Sequence, residues 1–295
     1  MKPPYRLLAL MVMIYAGIVS SAHATIEYAD ITGGRVKGEV SDGLATFKGI
    51  PFAAPPVGAL RWRVPQPVVP WHGIRVAYAF TPACVQPRDE PNPTREDCLY
   101  LNVWTAAASA KERLPVMVCI HGGGLKWGMS WQTLSYGHHL AREGVVLVTI
   151  AYRLGAMGFF AHPELTLESG GKGSGNYGIY DVIAALQWVQ ANIAQFGGDP
   201  TRVTLFGGSA SGLAVSLLTG APAARGLFAR ANALMRKYWI NFATRGDPNG
   251  PGLPVWQRFD ERSQAAMVFD ERPGSRRLPN LAGLRALDGV LRCGD

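Results

Sequence analysis

The sequence predicts an α/β protein in which helices cover both faces of a mostly parallel β-sheet. Three apolar runs have the length and composition of buried strands, and they span Leu114–Ile120, Val145–Tyr152 and Val203–Phe206. Between the second and third runs, Tyr180–Phe196 places apolar residues at helical spacing. Continuous apolar strands separated by helices are typical of a parallel sheet that is buried on both faces.

The segment before these strands is predicted to form β-hairpins and then a loop. Gly33-Gly34 and Asp42-Gly43 are turn signals between short runs of β-forming residues. The proline-rich segment Pro51–Pro70 must be extended or looped, because proline lacks the amide proton that regular elements need. Helical spacing returns from Leu213 onward, and the pattern weakens beyond Ala224.

The bulk composition indicates one globular domain and argues against nucleic-acid binding. The chain has 295 residues, of which 48% are hydrophobic and 17% are charged, which allows a sizeable core. Much of the formal net charge of +8 comes from the segment after Ala224, which holds twelve Lys and Arg against seven Asp and Glu. Because no recognition helix or aromatic-interleaved basic stripe accompanies this charge, we expect no nucleic-acid partner.

Residues 1–24 have the pattern of a secretory signal peptide. Two basic residues precede the apolar run Leu7–Val19, and Ala22-His23-Ala24 offers small residues where a signal peptidase cleaves, before Thr25. The alternative is an uncleaved anchor, but the apolar run is short for a spanning helix. We therefore expect a secreted or periplasmic protein with no stable membrane span after cleavage.

Four cysteines follow this leader, and two of them flank a proline-containing loop. Exported proteins can form disulfides, and a bridge between Cys84 and Cys98 would close this loop. Cys119 lies within an apolar strand run and is expected to be a small buried residue. The histidines and cysteines lack metal-ligand spacing, so the sequence predicts no metal site and no cofactor.

The strongest local signal for chemistry is a serine in a turn of small residues. The segment Val203–Gly212 runs from a buried strand through Gly207 and Gly208 to Ser209, and then into a helix. Small neighbours are needed there because the strand and helix backbones pass close together, which leaves the serine exposed above the sheet. The positive end of the helix dipole also favours negative charge that develops at this point. The pattern predicts that Ser209 is a nucleophile.

A second signal is the run His121-Gly122-Gly123-Gly124, which directly follows the strand that ends at Ile120. Successive glycines allow backbone N–H groups to converge, and those of Gly123, Gly124 and Ala210 could together form an oxyanion hole. Such donors contribute roughly 2.7–4 kcal/mol each to acyl transfer. Either motif alone is common in ordinary turns, but the pair, each following a strand, indicates catalysis of acyl transfer.

At this point the sequence resembles the type-B carboxylesterase family, which includes the cholinesterases. The matching segments, which cover nearly all of residues 25–231 and resume after residue 237, are Phe47–Ala53, Leu60–Trp62, Glu96–Val103, His121–Gly124, Tyr152–Gly155, Gly175–Gly178, Asp181, Ala185-Leu186, Phe196–Pro200, Tyr238–Ala243 and Gly246–Asn249. The resemblance implies an α/β-hydrolase fold and no cofactor. It also implies that a small-molecule carboxylic ester is hydrolysed through an acyl-enzyme intermediate.

The resemblance also assigns roles to individual residues. It implies Ser209 as the nucleophile, Gly123, Gly124 and Ala210 as oxyanion donors, and a disulfide between Cys84 and Cys98. Smaller departures from the family pattern are Gly208 in place of an acid or amide, Leu125 in place of an aromatic residue, and Ser211 at the last glycine position of the turn, where a side chain adds crowding.

A larger departure concerns the catalytic base. The family order is serine, acid and then histidine, but here all six histidines precede Ser209: His23, His72, His121, His138, His139 and His162. We interpret residues 25–231 as the N-terminal part of the domain and residues 232–295 as a C-terminal remnant with a basic tail. An internal deletion near Asn232–Arg236 would join them and leave the sheet incomplete at its C-terminal side.

Three functional readings remain open. The first is an active ester hydrolase, whose turnover is expected to be low because serine needs a base to take its proton. His138, His139 or Lys237 could supply that base, whereas His121 is expected to orient the glycine loop instead. The second reading is a catalytically inactive binding or adhesion domain, and the third is a remnant without a stable fold. Trp127 and Trp131 could line a substrate pocket or cap the core.

Overall fold

The computed structural model describes residues 26–87, 93–132, 134–171, 173–207, 209–231, 247–251, 254–257, 265–268 and 274–277. Several predictions of the sequence analysis lie outside these residues. They are the leader, the position of Gly208, the junction at Asn232–Arg236, Lys237 and the family-like segment Tyr238–Ala243.

The described residues form strands and helices in an order that matches an α/β protein. The strands are β1 (Tyr28–Ile31), β2 (Gly34–Lys37), β3 (Glu39–Ser41), β4 (Leu44–Pro51), β5 (Ile74–Val76), β6 (Ala83–Cys84), β7 (Thr94–Arg95), β8 (Tyr100–Thr105), β9 (Leu114–Ile120), β10 (Val146–Ile150), β11 (Gly198–Phe206), β12 (Arg230–Ala231), β13 (Ala265–Val268) and β14 (Gly274–Arg277). The α-helices are α1 (Leu134–Arg142), α2 (Gly155–Phe159), α3 (Pro163–Glu168), α4 (Tyr177–Asn192) and α5 (Ala210–Gly220).

A seven-stranded sheet organises the molecule, in the order β12-β11-β9-β10-β8-β4-β3. The strands β12, β11, β9 and β10 pair in parallel, whereas β8, β4 and β3 join by antiparallel pairings. The α/β class and the α/β-hydrolase fold are thus confirmed, but the sheet is mixed rather than mostly parallel. The tight turn at Asp42-Gly43 can join only antiparallel neighbours, whereas parallel strands need longer crossovers.

The predicted elements are confirmed with shifted ends. The strand Leu114–Ile120 has the predicted bounds, whereas β10 is shorter than its apolar run. Strand β11 starts at Gly198, five residues before the predicted start at Val203, and its pairing with β9 shifts register between these two residues. Helix α4 begins three residues earlier than predicted, and a 3₁₀ turn, Ile193–Phe196, continues it.

Helices cover both faces of the sheet, as predicted. On strand β10, Val148 is fully buried in the core that contains Leu186 of α4. The next residue toward the N-terminus, Leu147, points to the other face and packs in a separate cluster with Trp104 and with Ala141 of α1. Because side chains alternate across a strand, a short run of apolar residues supplies both cores.

The N-terminal region also follows the prediction. Hairpin β1–β2 turns at Thr32-Gly33, one residue earlier than the predicted Gly33-Gly34, and hairpin β3–β4 turns at Asp42-Gly43. The proline-rich segment begins at Pro51, the last residue of β4, and contains a 3₁₀ turn at Gly58–Leu60. The predicted disulfide is present, with a Cys84–Cys98 S–S distance of 2.06 Å.

The C-terminal part of the described chain holds a hairpin that the sequence analysis did not predict. Strands β13 and β14 pair antiparallel, with Ala265 opposite Arg277. The periodicity there is too weak to indicate a strand from the sequence alone. Among the described residues no helix combines the length and apolar character that crossing a bilayer requires.

Candidate functional site

Ser209 occupies the strained turn between a central strand and a helix. It follows β11 by three positions and precedes α5, and its backbone has φ 61° and ψ −128°. A residue other than glycine rarely adopts positive φ, and such strain persists only where the surrounding structure enforces it. Ser209 is exposed, and its side chain has no hydrogen-bond partner in the part of the chain that the structure describes.

Close packing behind the serine explains why the turn needs small residues. A Cβ atom on Gly207 would contact the Oγ of Ser211 and would lie only 2.6 Å from the carbonyl oxygen of Ile120. Ser211 itself is fully buried. Ser211, at the family's last glycine position, is therefore accommodated because Gly207 carries no side chain. The crowding expected from Ser211 thus restricts position 207 to glycine.

The glycine loop after β9 also has a backbone that glycine favours. Gly123 has φ 109°, and a Cβ atom there would lie 2.7 Å from the carbonyl carbon of Trp127. Gly124 has φ 62°. The carbonyl of Gly123 accepts hydrogen bonds from the N–H groups of Lys126 and Trp127, at 3.0 and 3.1 Å. Within the described ranges, no hydrogen bond is donated by the N–H group of Gly123 or of Gly124.

Sheet topology places the glycine loop and the serine turn side by side. Strands β9 and β11 are neighbours and run parallel, with Leu205 opposite Val118 and Phe206 opposite Cys119. The residues that follow Phe206 and Ile120 therefore leave the sheet at the same edge. This edge, at the carboxyl ends of parallel strands, is where α/β proteins bind ligands.

His121 is held inside the loop and is not placed to act as a base. Its Nδ1 donates to the carbonyl of Gly122 at 2.9 Å, and its ring stacks on Tyr152 with centroids 4.5 Å apart. The Tyr152 hydroxyl donates to the His121 carbonyl at 2.9 Å. Burial lowers the pKa of His121 to about 4, so the ring is neutral at pH 7. These contacts agree with the expectation that His121 orients the loop.

The other candidate histidines lie on helix α1. This helix packs against β8 and β10, and the His138 ring lies 6.4 Å from the Trp104 ring, centroid to centroid. Trp104 belongs to the smaller core, on the sheet face opposite α4 and α5. The structure therefore does not bring His138 or His139 to Ser209.

The two tryptophans that follow the glycine loop have different environments. Trp131 stacks on Phe80 with ring centroids 5.9 Å apart, so it packs against the smaller core. Trp127 is 48% exposed and contacts Gly123. Leu125, which replaces the family's aromatic residue, has φ 60°, and its carbonyl accepts from the N–H of Gly155 at 2.8 Å. Of the two tryptophans, Trp127 is the one that lies against the glycine loop.

A buried ion pair, which the sequence analysis did not single out, holds the loop after β10 against α4. Arg153 Nη2 lies 2.7 Å from Asp181 Oδ1, and the backbone N–H and Nε of Arg153 both donate to Oδ2. The two side chains are only 3% and 0% exposed. Charged residues within otherwise apolar stretches of the sequence are the signal that could have indicated this pair.

A cavity of about 570 Å³ lies elsewhere on the molecule. Its walls include Trp62, Tyr177, Tyr180 and the ion pair between Arg63 and Glu168. None of the candidate catalytic residues lines this cavity, so its size does not make it the reaction site. Within the described residues, no group of three or more His, Cys, Asp or Glu is arranged to hold a metal ion.

The strand order, the strained serine turn and the adjacent glycine loop define the α/β-hydrolase class. The profile of the carboxylesterase family matches residues 20–233. The chain belongs to the carboxylesterase family.

Relatives and solved structures agree with this assignment. The chain is 47% identical over 203 residues to the fumonisin B1 esterase of Sphingopyxis macrogoltabida, covering 67% of this chain and 37% of that protein. It is 44% identical over 207 residues to the para-nitrobenzyl esterase of Bacillus subtilis (strain 168), covering 67% of this chain and 41% of that protein. The chain thus spans about two fifths of the length of these relatives.

Two solved structures are similar in fold. A PNB esterase structure is 41% identical with a TM-score of 0.64, and the match covers 70% of this chain and 43% of that one. The carboxylesterase of Geobacillus stearothermophilus at pH 6.2 is 36% identical with a TM-score of 0.64, covering 74% of this chain and 48% of that one.

Proposed function

We propose that this protein hydrolyses small-molecule carboxylic esters with Ser209 as the nucleophile. One observation carries the proposal: the strained Ser209 turn and the Gly123-Gly124 loop follow neighbouring parallel strands and leave the sheet at one edge. Family membership supports the same reaction class. Two relatives, a fumonisin B1 esterase and a para-nitrobenzyl esterase, support an ester substrate without defining its acyl chain.

In the proposed reaction, the Ser209 oxygen attacks the ester carbonyl while a general base removes its proton. The carbonyl oxygen becomes an oxyanion, which the N–H groups of Gly123, Gly124 and Ala210 stabilise. Collapse of this intermediate expels the alcohol, which takes up the proton and leaves an acyl-serine. Water then attacks the acyl-serine to release the acid and restore the hydroxyl. Preorganised donors of this kind are worth roughly 2.7–4 kcal/mol each.

The base determines how fast this reaction runs. His121 is neutral but buried, and its Nδ1 proton is donated to Gly122. All six histidines precede Ser209 in the sequence, and none of those in the described ranges contacts it. We therefore expect the 295-residue polypeptide to react slowly, with the roughly 10³–10⁴-fold acceleration that remains when a triad member is removed.

We further propose that the protein acts outside the cytoplasm, as a secreted or periplasmic enzyme. The pattern of residues 1–24 supports export, and the Cys84–Cys98 disulfide is compatible with an oxidising compartment. The division into an N-terminal part, residues 25–231, and a C-terminal remnant, residues 232–295, belongs to the same proposal.

A fluorophosphonate probe and a short-chain p-nitrophenyl ester test the nucleophile. We expect the purified 295-residue chain to be labelled, and Ser209→Ala to lose labelling and any serine-dependent ester cleavage. Ser216→Ala is the matched control, because Ser216 is an exposed serine of α5 whose hydroxyl bonds to the Gly212 carbonyl. Equal labelling of parent and Ser209→Ala would refute the assignment.

The second candidate function is a catalytically inactive binding domain. The placement of the described histidines away from Ser209 favours it. A chain that melts cooperatively but neither cleaves the ester nor reacts with the probe would support this reading. A chain that also lacks cooperative melting would instead be the remnant considered in the sequence analysis.

A further inference from the structure

We propose that Gln86 is a positioning residue that sets the direction of the oxyanion donors; this rests on the proposed function. Its side-chain amide pairs with the backbone of Gly128 on both sides. The N–H of Gly128 donates to Oε1 at 2.8 Å, and Nε2 donates to the Gly128 carbonyl at 3.0 Å. The amide therefore bonds to both the N–H and the carbonyl of Gly128, as the backbone of a neighbouring strand would, and so fixes the position of Gly128.

The same amide group also bonds to the backbone of a disulfide-bonded cysteine. Nε2 also donates to the carbonyl of Cys84 at 3.1 Å, and Cys84 and Cys98 are 3% and 0% exposed. The backbone at Cys84 is thus part of the core rather than a mobile surface segment. The Gln86 amide thus connects the buried Cys84 backbone directly to Gly128.

Gly128 in turn touches the start of the glycine loop. It is buried, with φ 125°, and a Cβ atom there would lie 2.7 Å from the Gly122 carbonyl oxygen and 2.8 Å from Cε1 of His121. Gly128 therefore packs directly against the peptide that joins His121 and Gly122, and we expect a shift of Gly128 to displace that peptide. That peptide precedes Gly123, whose N–H is a proposed oxyanion donor.

Trp127, at the far end of the glycine loop, also restrains Gly123. The carbonyl group of Trp127, the residue before Gly128, lies against Gly123. The N–H of Trp127 also donates to the Gly123 carbonyl at 3.1 Å. Gly123 is therefore held from both sides by the segment whose position Gln86 determines. Because a misplacement of about 1 Å can cost a catalytic site roughly 100-fold, this clamp should affect reactivity although Gln86 need not touch the substrate.

Two variants of Gln86 test the proposal. Gln86→Ala removes both bonds to Gly128, and we expect Ser209 labelling by a fluorophosphonate to slow about 10-fold or more. Gln86→Glu keeps an acceptor for the Gly128 N–H but places a carboxylate against two carbonyl oxygens. Protonation would restore the donor, so the defect of Gln86→Glu relative to the parent should shrink as the pH falls from 8 to about 5. Gln66→Ala is the matched control, because the side-chain amide of Gln66 donates to the nearby Val64 carbonyl and to no other described residue.

Amide hydrogen exchange provides a readout that does not need a reactive serine. In Gln86→Ala we expect faster exchange in residues 121–128 and unchanged exchange in strand β10. Labelling within about twofold of the parent, together with unchanged loop exchange, would overturn the proposal, as would faster exchange that spreads equally to β10. If Gln86→Ala does not fold, the pH dependence of loop exchange in Gln86→Glu decides instead. If the parent itself resists labelling, the proposed function is refuted. The exchange data still test whether Gln86 positions the glycine loop.

Discussion

A Cβ atom added to Gly207 would lie 2.7 Å from the Cβ of Ser211, four residues ahead in helix α5. No ordinary Cβ contact is that short, so the two positions cannot both carry a side chain without a shift. We expect Gly207→Ala to destabilise the fold by about 1–3 kcal/mol, the usual cost of overpacking, in chemical denaturation.

Coupling between these positions checks the cause. If the clash with Ser211 contributes, Gly207→Ala should cost less in a Ser211→Gly background than in the parent. Some cost should remain, because the Ile120 carbonyl also lies 2.6 Å from the added atom. Equal costs in both backgrounds would contradict this explanation.

The hydroxyl of Tyr152 donates a hydrogen bond to the His121 carbonyl at the start of the glycine loop. Tyr152→Phe keeps the ring stack and removes only the donor. We expect a loss of about 1 kcal/mol in unfolding free energy, the usual contribution of such a bond. Tyr180→Phe, at an exposed phenol, is the control and should change the stability by less. If the two substitutions change the unfolding free energy equally, the Tyr152 hydrogen bond makes no net contribution to stability.

The depressed pKa of His121 predicts that acid weakens the fold. The unfolded ring binds a proton near pH 6.5, whereas burial lowers the folded-state pKa to about 4. The unfolded state therefore binds more protons between these values, so stability present above pH 6.5 is lost as the pH falls toward 4. From pH 7 to about 4.5 this amounts to about 2 kcal/mol. His121→Gln should lose less over this range, and a parallel decline in parent and variant would rule out this origin.

The buried pair of Arg153 and Asp181 should be costly to break. Asp181→Asn leaves a guanidinium uncompensated in the interior, so we expect a loss of about 3–5 kcal/mol in unfolding free energy. Glu168→Gln is the comparison, because its partner Arg63 and Glu168 itself are 42% and 46% exposed. Exposed pairs contribute about 0–1 kcal/mol. Similar losses in the two variants would show that burial does not govern these interactions.

Closure of the loop between Cys84 and Cys98 is expected to add stability. The two cysteines are 14 residues apart, and a loop of that size predicts about 3 kcal/mol from reduced freedom of the unfolded chain. The double Cys84→Ser and Cys98→Ser variant should therefore melt at a lower temperature than the oxidised parent. As a control, the reducing agent should leave the melting temperature of the variant unchanged. If the parent melts at the same temperature with and without reductant, the disulfide does not contribute to stability.

Much of the fold near the site could be predicted from local pattern. The apolar run Leu114–Ile120 matches β9 residue for residue, because an uninterrupted apolar run that ends at the start of the glycine loop has few other structures. The small residues around Ser209 indicated a strand-to-helix turn, which β11 and α5 form. Strand β11 extends to Gly198 because pairing with β9, rather than local composition, determines its start.

Contacts between distant segments could not be predicted in the same way. Gln86 lies in a loop with no periodicity, and its bond to Gly128 depends on where the disulfide places it. The parallel partnership of β2 and β5 likewise joins segments that local pattern does not connect. The charge of Asp181 within an apolar helix was visible, but its partner was not.

The sequence by itself determined the alternation of strands and helices, the exposed serine in a turn of small residues, and the loop of successive glycines. These features depend on residues adjacent in the chain, whose backbone preferences and apolar spacing act locally. Only the tertiary structure decided that β9 and β11 are neighbours, that Gly123 and Ser209 therefore share one edge of the sheet, and that His121 is buried. Strand order and burial depend on the packing of the whole core, which no short segment encodes.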